Sequence, residues 1–171
     1  MLRSSADEFT SVIKNLRVSE KAIEFDLYAI DEEKKLKTIS KLELEFGQEV
    51  NERDLALEET SEVPDKEQVV ARAVDLFNEQ RFWECHETLE QVWRKETDRA
   101  EKDVQQGIIL TASAFVHYQR NEDDVCLGMI PRALSKLEKW SLKTYHMIDI
   151  ELLREELREI QRSKTIHLFK I

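Results

Sequence analysis

Within the stretch FWECHETLEQVW, residues 82–93, a histidine and two glutamates fall close together: His86, Glu87 and Glu90. If the segment is helical, His86 and Glu90 lie one turn apart and present a nitrogen and an oxygen on the same side. Such a pair can take two positions on a divalent transition metal. His117 would supply a third ligand and leave an open position for water. Glu87 would then be the general base, like the glutamate of a His-Glu-x-x-His helix, although the second histidine of that pattern is Glu90 here. The chemistry would be metal-assisted hydrolysis. The same residues support a reading without a reaction. A carboxylate takes the His86 ring proton, Gln106 bridges, and His117 and the indole protons complete a buried network. Fully satisfied, such a network holds helices in register; partly broken, it is costly.

Helical spacing sorts the segment into two stripes. Phe82, Cys85, Leu89 and Val92 form an apolar side. Trp83, His86, Glu90 and Trp93 form the adjacent one, with Glu87 beside it and Glu84 further round. A following helix carries Gln106, Leu110, Ser113 and His117 in line, among Ile108, Ile109, Ala112, Phe115 and Val116. Polar groups in so apolar a helix need partners. If the two helices are neighbours, the expected cluster is Trp83, Glu84, His86, Glu87, Glu90, Trp93, Gln106, Ser113 and His117. Cys85 and His86 do not form a nucleophile–base pair, because adjacent helical residues face apart.

The elements that must position these groups follow from hydrophobic period. In AIEFDLYAI, residues 22–30, the residues Ile23, Phe25 and Leu27 alternate with charges. In LKTISKLELEF, residues 36–46, Leu42, Leu44 and Phe46 do the same. Period two predicts half-buried strands joined by the charged link DEEKK, with FTSVIKNLRVS, residues 9–19, as a third strand. The apolar face of so small a sheet needs a cover, from the helical part or from a partner protein. Residues 49–64 are acidic and aperiodic, and read as a linker. From Asp65, an N-cap with Gln68 three residues on, the period becomes 3.6. Helices are expected from there to Asn78, through residues 82–93, from Glu101 to Arg120, from Asp123 to Lys143, and over residues 149–163. In the fourth, Val125, Met129, Ile130, Ala133, Leu137 and Trp140 should face inward, and Pro131 should kink it or move its start to Gly128. The predicted fold class is α+β: a small N-terminal antiparallel β-sheet (residues 1–48), the linker, and an up-and-down bundle of about five helices (residues 65–171).

The segment resembles the domain-of-unknown-function family numbered 309. The residues that carry the likeness are Phe77-Asn78, the aromatic pair Phe82-Trp83, the run ECHETLEQVW, and Gln106-Gly107 opening an apolar helix that ends at His117. The resemblance spans about residues 65–145 and implies a helical bundle; it implies no reaction. The family usually has glycine where Gln80 and Arg120 stand in this chain.

Composition bounds the alternatives. The net charge is −10, and residues 1–65 hold 17 acidic against 9 basic side chains. An acidic chain is repelled by nucleic acid and anionic membranes. A basic stripe, Arg132, Lys136, Lys139 and Lys143, is the one local exception and would have to carry any anion or nucleic-acid binding. Glu151, Glu155 and Glu159 with Arg154, Arg158 and Arg162 read as ion-paired helix surface. No apolar run is long enough to span a bilayer. The opening MLRSSADEFT has no apolar run and is not expected to act as a secretory leader, and two cysteines in no metal or disulfide pattern fit a reduced, cytoplasmic compartment. The expectation is a binding or adaptor module, with metal-dependent hydrolysis and anion binding as alternatives.

Overall fold

The structure, a computed structural model, describes residues 11–18, 23–29, 31–47 and 65–171. The chain divides into two compact units, Met1–Ser61 and Glu62–Ile171. The acidic stretch 49–64 lies outside the described residues.

In the first unit, period two produces two strands. β1 (Ser11–Val18) pairs antiparallel with β2 (Ile23–Ala29), Ser11 opposite Ala29 and Val18 opposite Ile23, with an irregularity between Lys14 and Arg17. The strand expected over residues 36–46 is a helix instead, α1 (Glu32–Phe46). The charged link read as a hairpin turn is its first turn. Asp31 accepts from the Lys34 N–H at 2.8 Å, Glu32 and Glu33 follow it, and Lys37 pairs with Glu33 at 2.9 Å. Thr38, Ile39 and Leu42 make the buried face, and Leu44, the middle member of the supposed alternation, is turned to solvent. Gly47, at φ 64°, ends the helix with its N–H on the Glu43 carbonyl. Three alternating residues did not outweigh a capped, ion-paired helical frame. α1 packs on both strands, so this unit supplies cover for its own sheet.

The second unit is helical. α2 (Lys66–Asn78), α3 (Phe82–Trp93), α4 (Arg99–Gln119), α5 (Asp123–Leu137) and α6 (Ile150–Ser163) pack in chain order, each on the next. Aspartates start most of them. Asp65 accepts from the Glu67 N–H, Asp98 from Glu101, and Asp149 from both Glu151 and Leu152. α2 and α3 meet at Gln80, whose φ of 63° is the left-handed conformation that favours glycine. The Gln80 carbonyl is held by the Gln119 side chain at 2.7 Å, which fixes the turn without one. At the α4–α5 turn the left-handed residue is Asn121 (φ 59°), a side chain that tolerates it, and not Arg120.

α5 begins at Asp123 and continues through Pro131, so the start at Gly128 does not occur. It ends at Leu137, short of Lys143, and Val125 is exposed where Cys126 is buried. Arg154 of α6 donates to the Leu137 and Trp140 carbonyls. It closes the end of α5 and is not the surface ion pair its spacing suggested. Between α5 and α6 lies an unforeseen two-residue ladder, β3 (Thr144–Tyr145) with β4 (Ile148–Asp149), turned by His146 at φ 49°. The core centres on Phe77, Phe82 and Phe115, with ring centroids 5.0–5.8 Å apart. Among the described residues no helix is long and apolar enough to cross a membrane.

Candidate functional site

α3 has the two stripes its spacing predicts. Phe82, Cys85, Leu89 and Val92 are buried, and Trp83, His86, Glu90 and Trp93 are half-buried beside them. The His86 ring stacks on Trp83, centroids 5.5 Å apart and 20° from parallel. Its Nδ1 lies 3.1 Å from Glu87 Oε1 and its Nε2 lies 3.4 Å from Glu90 Oε1. One imidazole therefore sits between two carboxylates of its own helix. A protonated ring can donate toward both, and a neutral ring toward one. Glu90 is held in turn by Arg94. Glu84 turns away from this group and accepts from Arg81 Nε at 2.9 Å.

The expected link to α4 does not form. His117 Nδ1 lies 2.5 Å from Glu122 Oε2, in the turn to α5. Ser113 Oγ donates to the Ile109 carbonyl of its own helix at 2.9 Å. Among the described residues the Gln106 side chain has no hydrogen-bond partner. Among the described residues no three His, Cys, Asp or Glu side chains are arranged to hold a metal ion. The triad His86, Glu90 and His117 is thus not assembled as one ligand set. The reason is geometric. Gln106, Leu110, Ser113 and His117 are in line, but their whole line is half-buried, at the rim of α4. The face turned inward carries Val104, Gln105, Ile108, Thr111, Ala112 and Phe115.

The basic stripe starts on α5 with Arg132 and Lys136 and runs past its end to Lys139 and Lys143, and its three lysines are engaged by the protein itself. Lys136 and Lys139 grip Asp103 of α4 at 2.7 and 3.1 Å, and Lys143 reaches Asp149 at 3.5 Å. Lys136 and then Lys139 hold the Asp103 carboxyl below its usual range. Arg132 is exposed.

Among the described residues, the least exposed carboxylate in an ion pair belongs to a group that sequence spacing missed. Lys66, at the start of α2, lies 2.5 Å from Glu96 and 2.8 Å from Glu101. Glu96 stands in the α3–α4 turn with a side chain only 6% exposed, and its Oε1 accepts the Thr97 and Asp98 N–H groups at 2.8 Å. Gln105 donates to Tyr145 Oη at 2.7 Å and to Glu96 at 3.3 Å, and Tyr145 donates to Glu101 at 3.4 Å. The Lys66 ammonium holds the Glu96 carboxyl down at about 2. Glu101, then Glu96, raises Lys66. Burial pushes Tyr145 up to about 12. The available signal was Gln105 itself, which shares the helical face of Ile108, Ile109 and Ala112. This network ties α2, the α3–α4 turn, α4 and β3 together.

Residues 70–129 match the family described as Domain of unknown function (DUF309), a span running from α2 into α5 and including His86, Glu87, Glu90, Gly107 and His117. No curated protein and no solved structure matches the chain.

Proposed function

We propose that the protein is a non-catalytic binding module, in which the helical unit is the scaffold and the N-terminal β-β-α unit meets a protein partner. One observation carries the reading. That unit leaves Leu44 86%, Ile23 55%, Leu36 54% and Phe46 48% exposed. Large apolar side chains left in water by so small a unit gain free energy when another surface covers them, about 25 cal/mol per Å² removed from water. The ionisable groups of the helical unit support a structural role, since His86 is paired within α3 and His117 within the α4–α5 turn. In this reading residues 1–48 bind, residues 49–64 tether and residues 65–171 hold the scaffold. Two free, buried thiols, Cys85 and Cys126, suit a cytoplasmic setting.

The test compares the wild-type chain with a triple variant, Leu36→Lys, Leu44→Lys and Phe46→Lys, both at native abundance. Quantitative co-purification should lose a partner with the variant. The melt of the helical unit should stay where it was, read by tryptophan fluorescence because all three tryptophans lie there. Identical sets of co-purifying proteins would overturn the reading.

A further inference from the structure

Beyond α6 the chain forms no helix or strand, yet it stays on the molecule. Lys164 takes a left-handed φ of 57°, and its N–H closes the helix on the Ile160 carbonyl at 2.9 Å. The segment that follows lies on the core, with Ile166, Leu168, Phe169 and Ile171 packed against it. The Phe169 ring sits 5.4 Å from Phe115 of α4 and 5.9 Å from Phe77 of α2. Asn78, the last residue of α2, grips the main chain of Ile171 twice. The Ile171 N–H donates to Asn78 Oδ1 at 2.9 Å, and Asn78 Nδ2 donates to the Ile171 carbonyl at 3.2 Å. His167 Nε2 lies 2.9 Å from Glu156 of α6.

These are the contacts by which a protein holds a peptide. Among the described residues, no main-chain group of residues 166–170 bonds to another main chain. The side chains of Ile166, His167, Leu168, Phe169 and Ile171 are all half-buried, while Phe77 and Phe115 beneath them are buried. The attachment rests on one aromatic anchor, its aliphatic neighbours and an amide clamp that reads backbone and not side chain. An asparagine clamp of that kind accepts any residue in extended conformation, so side-chain selectivity falls to the aromatic seat.

We propose that α2, α4 and α6 form a docking groove for an extended apolar peptide, an aromatic residue followed two positions later by an aliphatic one. Residues 164–171 occupy the groove in cis, and a partner protein's segment of the same chemistry displaces them. The proposal uses no residue of the β-β-α unit and stands apart from the role given to it. The short connection to α6 gives the resident segment an effective concentration on the order of millimolar, so a competing peptide meets an occluded site in the wild-type chain. Weakening the resident segment opens the groove to it.

The probe is a fluorescein-labelled peptide of residues 165–171, titrated by anisotropy into the full chain. The Phe169→Ala chain should bind it saturably and at least about tenfold more tightly than wild type does, because the competing anchor is gone. The peptide carrying the same Phe169→Ala change should not bind. Asn78→Leu in the Phe169→Ala chain should weaken binding several-fold, which nonspecific apolar adhesion would not show. Ile171→Ala, which weakens the resident segment at its other end, carries the same comparison if Phe169→Ala fails to fold. Equal binding by wild type and a folded variant, or no saturable binding by the variant, would overturn the proposal.

Discussion

Replacing Gly107 with alanine should destabilise the helical unit, although alanine is the better helix former. α4 passes close to α5 at this point. A Cβ on Gly107 would stand 2.6 Å from Leu137 Cγ, 2.7 Å from Leu137 Cδ2 and 3.1 Å from the Leu137 backbone nitrogen. Leu137 is fully buried, so its side chain can yield only into filled core, and its amide can yield only if α5 moves. Helix propensity favours alanine by ~1 kcal/mol. Overpacking costs ~1–3 kcal/mol, and a contact with backbone as well as side chain belongs in the upper part of that range. The net loss should be ~1–2 kcal/mol, or roughly 4–8 °C in Tm for a unit of this size. Gly128 is the control. It also lies inside a helix, but it is exposed and a Cβ there would meet nothing within 4 Å. Gly128→Ala should therefore stabilise by ~0.5–1 kcal/mol. Urea unfolding followed by tryptophan fluorescence reads both, as midpoints at unchanged slope. In a Leu137→Ala background the Gly107→Ala penalty should shrink or reverse, since the clashing side-chain atoms are gone. A Gly107→Ala midpoint at or above wild type, or the two glycines shifting in the same direction, would refute the close-approach argument.

The Glu96 carboxyl is held at about 2 in the folded protein against an ordinary 4.5, with Lys66 the largest cause. A depressed folded-state value means its stabilisation is complete above 4.5 and drains away as pH falls toward 2. Melts in steps across that interval should fall less steeply for Glu96→Gln than for wild type; parallel curves would show that the Lys66 pair contributes nothing. Lys66→Met, which leaves a nearly buried carboxylate without its ammonium, should cost on the order of 1–3 kcal/mol at neutral pH, measured by urea unfolding. Burial pushes both thiols, Cys85 and Cys126, up to about 12, so a disulfide reagent at neutral pH should label them only once urea has unfolded the chain; rapid native labelling would contradict their placement. Melts of His86→Ala, Glu90→Gln and His117→Ala should be lowered equally with and without zinc or manganese. A wild-type Tm that rises steeply with micromolar metal, and a His86→Ala Tm that does not, would restore the hydrolase alternative and make Glu87 the first base to test.

Short-range signals alone located most of the elements. The alternation Ile23, Phe25, Leu27 is a strand, and the aspartate caps Asp65 and Asp149 stand where helices begin. The split of α3 into a buried and a half-buried stripe needed only its period. These are properties of a few consecutive residues, so they survive in one dimension. α1 was misread for a related reason: Leu42, Leu44 and Phe46 fit period two, while the Asp31 cap and the Lys37–Glu33 pair fit period 3.6, and local pattern does not say which competing frame is better covered.

What only the tertiary structure decided is which residues of different elements meet. His86 and His117 share suitable spacing on their helices, but rotating a helix by one residue, about 100°, changes its inward face. α4 turns Gln105 inward and leaves Gln106 and His117 at its rim. His117 then takes Glu122, Gln105 takes Tyr145 from a ladder too short to leave a periodic trace, and Lys66 finds Glu96 thirty residues away. Asn78 and Ile171 are 93 residues apart, and neither carries a local sign of the other. Helix rotation is fixed by the summed packing of the core, with Gly107 against Leu137 among its tightest points. That sum belongs to the whole fold, and no window of the sequence contains it.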